Sequence, residues 1–404
     1  MDNTTSHPAQ AGPNLERRVK RQAWAPGHEF FAVTAPGLEP LCAAELSALG
    51  LEDVQPLNGG VAFAGRLEGL YTANLWLRSA GRVLLRLKDF RVRTWEDLPR
   101  QAASVPWEVW LAGGAQLKVL VSLKASNLKH TGRIAEEILA AASARLASLG
   151  ITPSMAAPPG SADPAMVMVR GHERRAIISL DSSGEHLHRR GYRLDPGPAP
   201  LREDLAAALL MLCGYQGTEP LLDPMCGAGT LAIEAGLMAR RLPPRPERAF
   251  AFQAWPCYRA ATWEHLVKKA RAQALAAPAW PIHARDLEAK ALASTKANAS
   301  RAGLEDSLVL ERADFFSAAP PPGPPGLIVI NPPFGKRLGS VRQARDFASR
   351  LGRKLQQDYA GWRCGVVLYR PEWEELLGLK PLARLVAPHG GLTVTMLCGT
   401  VKGK

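Results

Sequence analysis

Apolar and polar positions alternate on two different plans along the 404 residues. In the first plan, Phe30–Val33 and Gly60–Phe63 are short apolar runs that predict strands. Gly37–Leu49, stopped by Gly50, and Leu67–Arg78 have helical spacing. Met166–Val169 and Ala176–Leu180, with polar turn residues between them, predict a hairpin. Strand, helix, strand, helix at this spacing suits a small α+β module.

Beyond residue 200 the plan changes to short buried strands, each followed by an amphipathic helix. Leu221–Leu222 precedes Leu231–Arg241, Ile282–Arg285 precedes Leu287–Ala302, and Leu308–Leu310 follows. Leu327–Ile330 precedes Val341–Tyr359, and Gly365–Tyr369 precedes Trp373–Leu377. Such alternation predicts a parallel, doubly wound α/β sheet. Its end differs: Leu382–Ala387 and Leu392–Cys398 flank a His389-Gly390-Gly391 turn with no helix between, so an antiparallel hairpin closes the sheet. Pro/Gly-rich breaks fall at Pro153–Pro164, Asp195–Pro200 and Ala319–Gly326.

Composition narrows the function classes. The chain is 47% hydrophobic and 22% charged, ordinary for a folded protein. Its net charge of +13 points to a polyanionic partner, nucleic acid before membrane. The apolar run through Ala206–Cys213 is far below the roughly 20 residues a membrane span needs. Residues 1–27 are basic but lack an apolar core, so they read as a disordered tail rather than a secretory signal. Six scattered cysteines without a Cys-x-x-Cys pair suit a reducing cytoplasm and argue against a metal site. Residues 28–165 are charge-neutral, whereas residues 201–404 carry +9. Seven basic residues and one acidic residue fall between Lys336 and Lys354.

Three constellations carry candidate chemistry. In Leu221-Leu-Asp-Pro-Met-Cys-Gly-Ala-Gly-Thr-Leu231 a strand ends at Asp223, and Gly227 and Gly229 open a helix, so backbone N–H groups can approach a ligand. The turn is neither a P-loop nor a full Gly-x-Gly-x-x-Gly, and a ligand-free glycine turn is the competing reading. After the second strand, Asp286 can accept both hydroxyls of a ribose; the alternative is that Asp286 and Glu288 merely complement a helix dipole. Asp314 and Phe315, after the third strand, are placed to meet the amino group and face of an adenine. The most specific stretch is Asn331-Pro332-Pro333-Phe334-Gly335. Two prolines stiffen the exit from a buried strand. The Asn331 side-chain oxygen and the Pro332 carbonyl can hold the two N–H groups of an exocyclic amine, while Phe334 stacks on its base. Orientation and charge stabilisation on nitrogen would then drive alkylation. A proline turn that only closes the strand is the competing reading.

Together these residues resemble the class I S-adenosylmethionine-dependent methyltransferases that act on amino nitrogens. Further stretches narrow the resemblance: Thr34–Glu39 with Glu45-Leu46, Leu187–Arg193 with Ala199–Leu201, Arg248–Phe252 with Trp255-Pro256, and Arg337-Leu-Gly339. They are similar to the THUMP-domain RNA guanine-N2 methyltransferases of bacteria, which modify large-subunit rRNA. The resemblance implies an α/β, Rossmann-like, seven-stranded class I methyltransferase domain at 183–404, preceded by an α+β ferredoxin-like and THUMP RNA-binding module at 28–182. It implies S-adenosylmethionine as cofactor, with Asp223, Cys226, Gly227 and Gly229 at its methionine part, Asp286 at the ribose, and Asp314 and Phe315 at the adenine. Asn331 stands between cofactor and target base. RNA is the implied partner, 23S rRNA ahead of tRNA, with no membrane and no metal, in the cytoplasm. Arg189, Arg190 and Arg193 at the junction, and Lys336, Arg337, Arg342 and Arg345 after the Asn-Pro-Pro-Phe turn, are expected to hold phosphates; a solvated helix face is the alternative for each. A local patch around Lys124–Arg133 is expected to dock RNA shape. Phe334 replaces a tyrosine common among relatives, Lys336 replaces an acid, and the insert Ala319–Gly326 is unusual. Adenine-N6 DNA methylation and a non-catalytic RNA-binding assembly factor are the rival functions.

Overall fold

The computed structural model describes residues 13–124, 130–152, 164–194, 201–333 and 341–403. Alternation of apolar residues in β1 (His28–Thr34), β3 (Gly60–Gly65), β4 (Ala80–Arg91), β6 (Ala165–His172) and β7 (Arg175–Asp181) puts Phe30, Phe63, Leu85, Val167 and Ile178 on one buried face. With β2 (Glu52–Leu57) and β5 (Leu117–Lys124) these strands form a seven-stranded sheet in the order β2-β3-β1-β4-β7-β6-β5. Only the β5–β6 pair is parallel. The helices α1 (Pro13–Ala23), α2 (Glu39–Ala48), α3 (Leu67–Trp76), α4 (Asp97–Ser104), α5 (Trp107–Trp110) and α6 (Thr131–Ser148) send their apolar residues into that face.

The expected disordered tail is corrected by α1. Its Val19 and Ala23 are buried, Arg18 pairs with Glu108, and Trp24 donates its indole N–H to the Cys257 carbonyl under the Arg259 guanidinium. Apolar residues four apart, with a tryptophan at the end, gave this helix a face to bury. Residues 1–12 lie outside the described residues.

The second sheet is built from β8 (Leu221–Asp223), β9 (Ile282–Asp286), β10 (Leu308–Arg312), β11 (Leu327–Ile330), β12 (Arg363–Leu368), β13 (Leu379–His389) and β14 (Leu392–Val401). Its order is β10-β9-β8-β11-β12-β14-β13, parallel except for β14 and β13. The expected doubly wound sheet closed by a hairpin is therefore present. It is flanked by α7 (Glu203–Leu212), α8 (Thr230–Ala239), α10 (Ala289–Arg301) and α11 (Val341–Asp358). Between them, α9 (Ala260–Gln273) and the preceding Phe250–Cys257 segment turn away and bury Phe252, Trp255 and Trp263 in the core of the first sheet. Sequence order alone had grouped this stretch with the second domain.

Candidate functional site

Strand order fixes where a ligand can lie. The chain direction of successive crossovers reverses between β8 and β11, and clefts form outside the carboxyl ends of strands at such a switch point. Register then sets depth. Asp223 on β8 pairs with Ala284 of β9, and Leu222 pairs with Ile328 of β11. Asp286 therefore stands two residues beyond the level of Asp223 on one side, and Asn331 two residues beyond it on the other. The central strand stops short, which leaves a notch with Asp223 at its floor.

The glycine turn wraps this notch. Gly227 and Gly229 both have left-handed backbone, φ 55° and 83°. Their surroundings differ: a Cβ on Gly229 would sit 2.6 Å from Thr295 Cγ2, whereas a Cβ on Gly227 would meet open space. Gly229 is thus required by packing, and Gly227 leaves its outer face free. The Cys226 N–H donates to the Arg285 carbonyl at 2.9 Å, and Gly227 N–H donates to Asp286 Oδ2 at 2.9 Å. Thr295 Oγ1 donates to the Gly227 carbonyl at 2.9 Å, and Asn298 Nδ2 to the Ala228 carbonyl at 2.8 Å. Sequence reading missed Thr295 and Asn298. Their signal was two polar residues three apart on the inward face of an otherwise ordinary amphipathic helix.

Two polar groups at the notch are buried without a well-formed hydrogen bond among the described residues: the carboxylate of Asp223, which the Met225 and Ala232 N–H groups approach, and Oδ1 of Asn331. Asp223 is 1% exposed. Burial pushes its carboxyl up to about 8; the Met225 N–H pulls the other way and the Asp286 carboxylate adds to the rise. A buried acceptor without a donor costs stability, so its presence marks a place where a ligand supplies the donor. An ammonium above Asp223 and hydroxyls beside Asp286 fit this donor-poor cradle, and so does the amino acid and ribose chemistry of S-adenosylmethionine. Among the described residues no group of His, Cys, Asp and Glu could hold a metal ion.

Other expected site residues fall elsewhere. Asp314 lies in the turn after β10, exposed, with Oδ1 accepting the Phe316 N–H at 3.0 Å. The Phe315 ring is 4% exposed and stacks on Tyr359 with centroids 5.7 Å apart, in the core cluster that also holds Ile330. Its neighbour Phe316 is half-buried, under the Arg350 guanidinium. Both rings pack on the same core cluster, with Phe315 inside it and Phe316 at its edge. The Pro-rich insert is tied at its start by Arg285, which donates to the Ala319 carbonyl at 2.7 Å.

The junction arginines divide. Arg189 is exposed and pairs loosely with Glu185 at 3.8 Å. Arg190 is 3% exposed and is no phosphate ligand: it donates to the Leu187 and Arg78 carbonyls at 2.6 and 2.7 Å and to Glu234 at 3.3 Å. Arg193 is also occupied, by Glu203 at 3.2 Å, the Leu201 carbonyl at 2.8 Å and Thr230 Oγ1 at 3.3 Å. Both are drawn inward because the junction must neutralise the buried Glu234 and Glu203. Arg342 and Arg345 are exposed on α11, opposite its buried Ala344, Ala348 and Leu351. Phe334, Lys336 and Arg337, and residues 125–129 of the Lys124–Arg133 patch, lie outside the described residues.

Comparison with known proteins adds what geometry leaves open. The UPF0020 model, described as RMKL-like, methyltransferase domain, matches residues 190–396, and the RlmL ferredoxin-like domain model matches residues 29–84. A Ribosomal RNA large subunit methyltransferase K/L of Magnetococcus marinus (strain ATCC BAA-1437 / JCM 17883 / MC-1) is 37% identical over 366 residues, 87% of this chain and 50% of that protein. The chain thus spans about half the length of such relatives. A Synechocystis sp. (strain ATCC 27184 / PCC 6803 / Kazusa) protein named as an RNA methyltransferase is 33% identical over 380 residues, 91% of this chain and 95% of that protein. The solved structure of SMU.472, described as a methyltransferase complexed with SAH, superposes with a TM-score of 0.83 at 27% identity, covering 94% of this chain and 99% of that one. The notch with its glycine turn lies inside the matched methyltransferase region, and the chain belongs to the UPF0020 family of RMKL-like methyltransferase domains, carrying an RlmL ferredoxin-like domain ahead of it.

Proposed function

We propose that this chain is an S-adenosylmethionine-dependent RNA methyltransferase that forms N2-methylguanosine, with 23S rRNA as its favoured substrate. The observation that carries this reading is the partnerless Asn331 Oδ1 at the edge of the switch-point notch, beside a glycine turn and a buried Asp223. Bound S-adenosylmethionine supplies an electrophilic methyl group on a sulfonium. Asp223 and the Gly227 turn hold its amino acid end, and Asp286 its ribose. Asn331 Oδ1 and the Pro332 carbonyl accept the two N–H groups of guanine N2, which turns the nitrogen lone pair out of conjugation and toward the methyl carbon. Phe334 stacks on the base and fixes its tilt. S-adenosylmethionine held in the notch would give its methyl group to N2 and leave as the thioether, and one N2 proton would pass to solvent. No strong base is needed, because alkylation makes that proton acidic.

The N-terminal module, read as ferredoxin-like and THUMP, docks the RNA. Support comes from the helix-free face of its sheet. There Lys118, Leu120, Met168, Arg170 and Arg86 point outward, with the Arg86 and Arg170 guanidiniums 4.7 and 5.9 Å from the Phe31 ring. The test is nucleoside mass spectrometry on fractionated RNA from a strain lacking this chain. Loss of N2-methylguanosine from large-subunit rRNA supports the proposal. Loss from tRNA moves the substrate to tRNA, and an unchanged profile in both fractions overturns it.

A further inference from the structure

At the opposite end of α8 from the glycine turn, a cavity of about 440 Å³ opens between the domain junction, the Leu242–Glu247 loop and the last turns of α9 and α10. Its lining includes five arginines, Arg190, Arg240, Arg245, Arg271 and Arg301, and one acid, Glu247. Arg190 is neutralised by Glu234. Arg245 pairs with Glu185 at 2.9 Å and Arg271 more loosely with Glu247 at 3.9 Å, whereas Arg240 and Arg301 face no acid among the described residues. Arg240 donates to the carbonyls of Leu275 and Gly303 at 3.0 and 2.7 Å, and Arg301 to the Tyr192 carbonyl and to Asn298 Oδ1 at 2.6 and 2.5 Å. These acceptors orient the guanidiniums without cancelling their charge. Glu185 and Glu247 are both exposed, and Glu185 is shared between Arg245 and Arg189. The ends of α8 and α10 together contribute only about one negative charge. A walled space with this surplus takes an anion.

We infer that this cavity seats backbone phosphates of the RNA, a second anchor between the two domains and remote from the methyl-transfer notch; this rests on the RNA reading above. Eleven residues separate Gly229 from Arg240, so the anchor is roughly 16 Å from the cofactor turn. That distance suits holding the strand that flanks a target base rather than the base itself. Planar guanidiniums pre-oriented by carbonyls match the paired oxygens of a phosphodiester. Arg189, exposed beside the cavity, joins this anchor in place of the buried Arg190 and the ion-paired Arg193.

The test measures binding of the full chain to a 23S rRNA transcript across a salt series, for wild type and for Arg271→Glu and Arg245→Glu, with folding checked by thermal melting. Each variant should bind RNA about ten-fold more weakly and lower the slope of log K against log salt by about one, with S-adenosylhomocysteine affinity unchanged. Wild-type binding with an unchanged slope in both variants overturns the anchor and leaves the RNA reading standing. Absence of wild-type binding to rRNA or tRNA overturns both. Pyrophosphate should compete with RNA in wild type more strongly than in Arg271→Glu; equal competition also overturns the anchor.

Discussion

Asp286 braces the glycine turn: its Oδ2 accepts the Gly227 N–H at 2.9 Å, while Oδ1 accepts the Glu288 N–H at 2.9 Å. The end of β9 is thereby tied to the loop after β8. One carboxylate shapes the turn and keeps lone pairs free, which the proposed ribose contact would use. Hydrogen bonds to a charged group are worth about 1.5–3 kcal/mol. Asp286→Ala should therefore weaken S-adenosylhomocysteine binding by about ten- to hundred-fold in calorimetry. An unchanged affinity would remove Asp286 from the ribose.

Asn331 stands on the other side of the notch, where the proposed mechanism gives it the target amine. Asn331→Ala should abolish methyl transfer, a loss on the order of 10² or more in rate, while S-adenosylhomocysteine affinity stays within about three-fold. Single-turnover methylation measured next to calorimetry separates the two. Full activity in the variant would overturn the orientation mechanism.

Asp223 makes the unliganded fold sensitive to pH. Its carboxyl titrates at about 8 when folded, because of burial, and near 4 when unfolded. Between those values the unfolded chain holds fewer protons than the native one, so stability falls as pH rises from about 4 to 8. Melting of wild type relative to Asp223→Asn should show this decline only in wild type. A cationic ligand above Asp223 favours the carboxylate, so binding near pH 7 should release a proton, seen as a buffer-dependent heat that Asp223→Asn abolishes.

The clamp between the domains is electrostatic and buried. Arg190 and Arg78 surround Glu234, at 3.3 and 3.9 Å, and the Tyr192 hydroxyl donates to the same carboxylate at 3.3 Å. Arg78 also donates to the Leu242 carbonyl at 2.6 Å. Removing one partner strands a buried charge, so Arg190→Met should cost about 3–5 kcal/mol in urea unfolding. A loss below 1 kcal/mol, with RNA affinity reduced instead, would restore Arg190 as a phosphate ligand.

On α11, reversing Arg342 and Arg345 together to Glu should weaken RNA binding and reduce its salt slope by about two, with the melting temperature unchanged within a few degrees. An unchanged slope would return this helix to a plain solvated surface.

Local chemistry by itself determined much of this protein. Short apolar runs and glycine stops specified most strands of the second sheet and several elements of the first, because period and turn residues act within a few positions, while β2, β4, β5 and α4–α6 went unread. Asp223, Asp286 and Asn331 could be singled out for the same reason, because each stands at or just past the end of a strand, and Gly227 because it lies in the turn that follows one. Tertiary structure decided what depends on distant neighbours. Basic residues looked alike in the chain, yet Arg190 and Arg193 are consumed by Glu234 and Glu203, while Arg240 and Arg301 find only carbonyls and keep their charge. The charge-neutral first domain sends cations such as Lys118 and Arg170 to its open sheet face, a sorting that net charge hides. Thr295 and Asn298 gained their role only when α10 was laid against the glycine turn. Period and turn chemistry are local, whereas burial and the neutralisation of charge are properties of the packed chain.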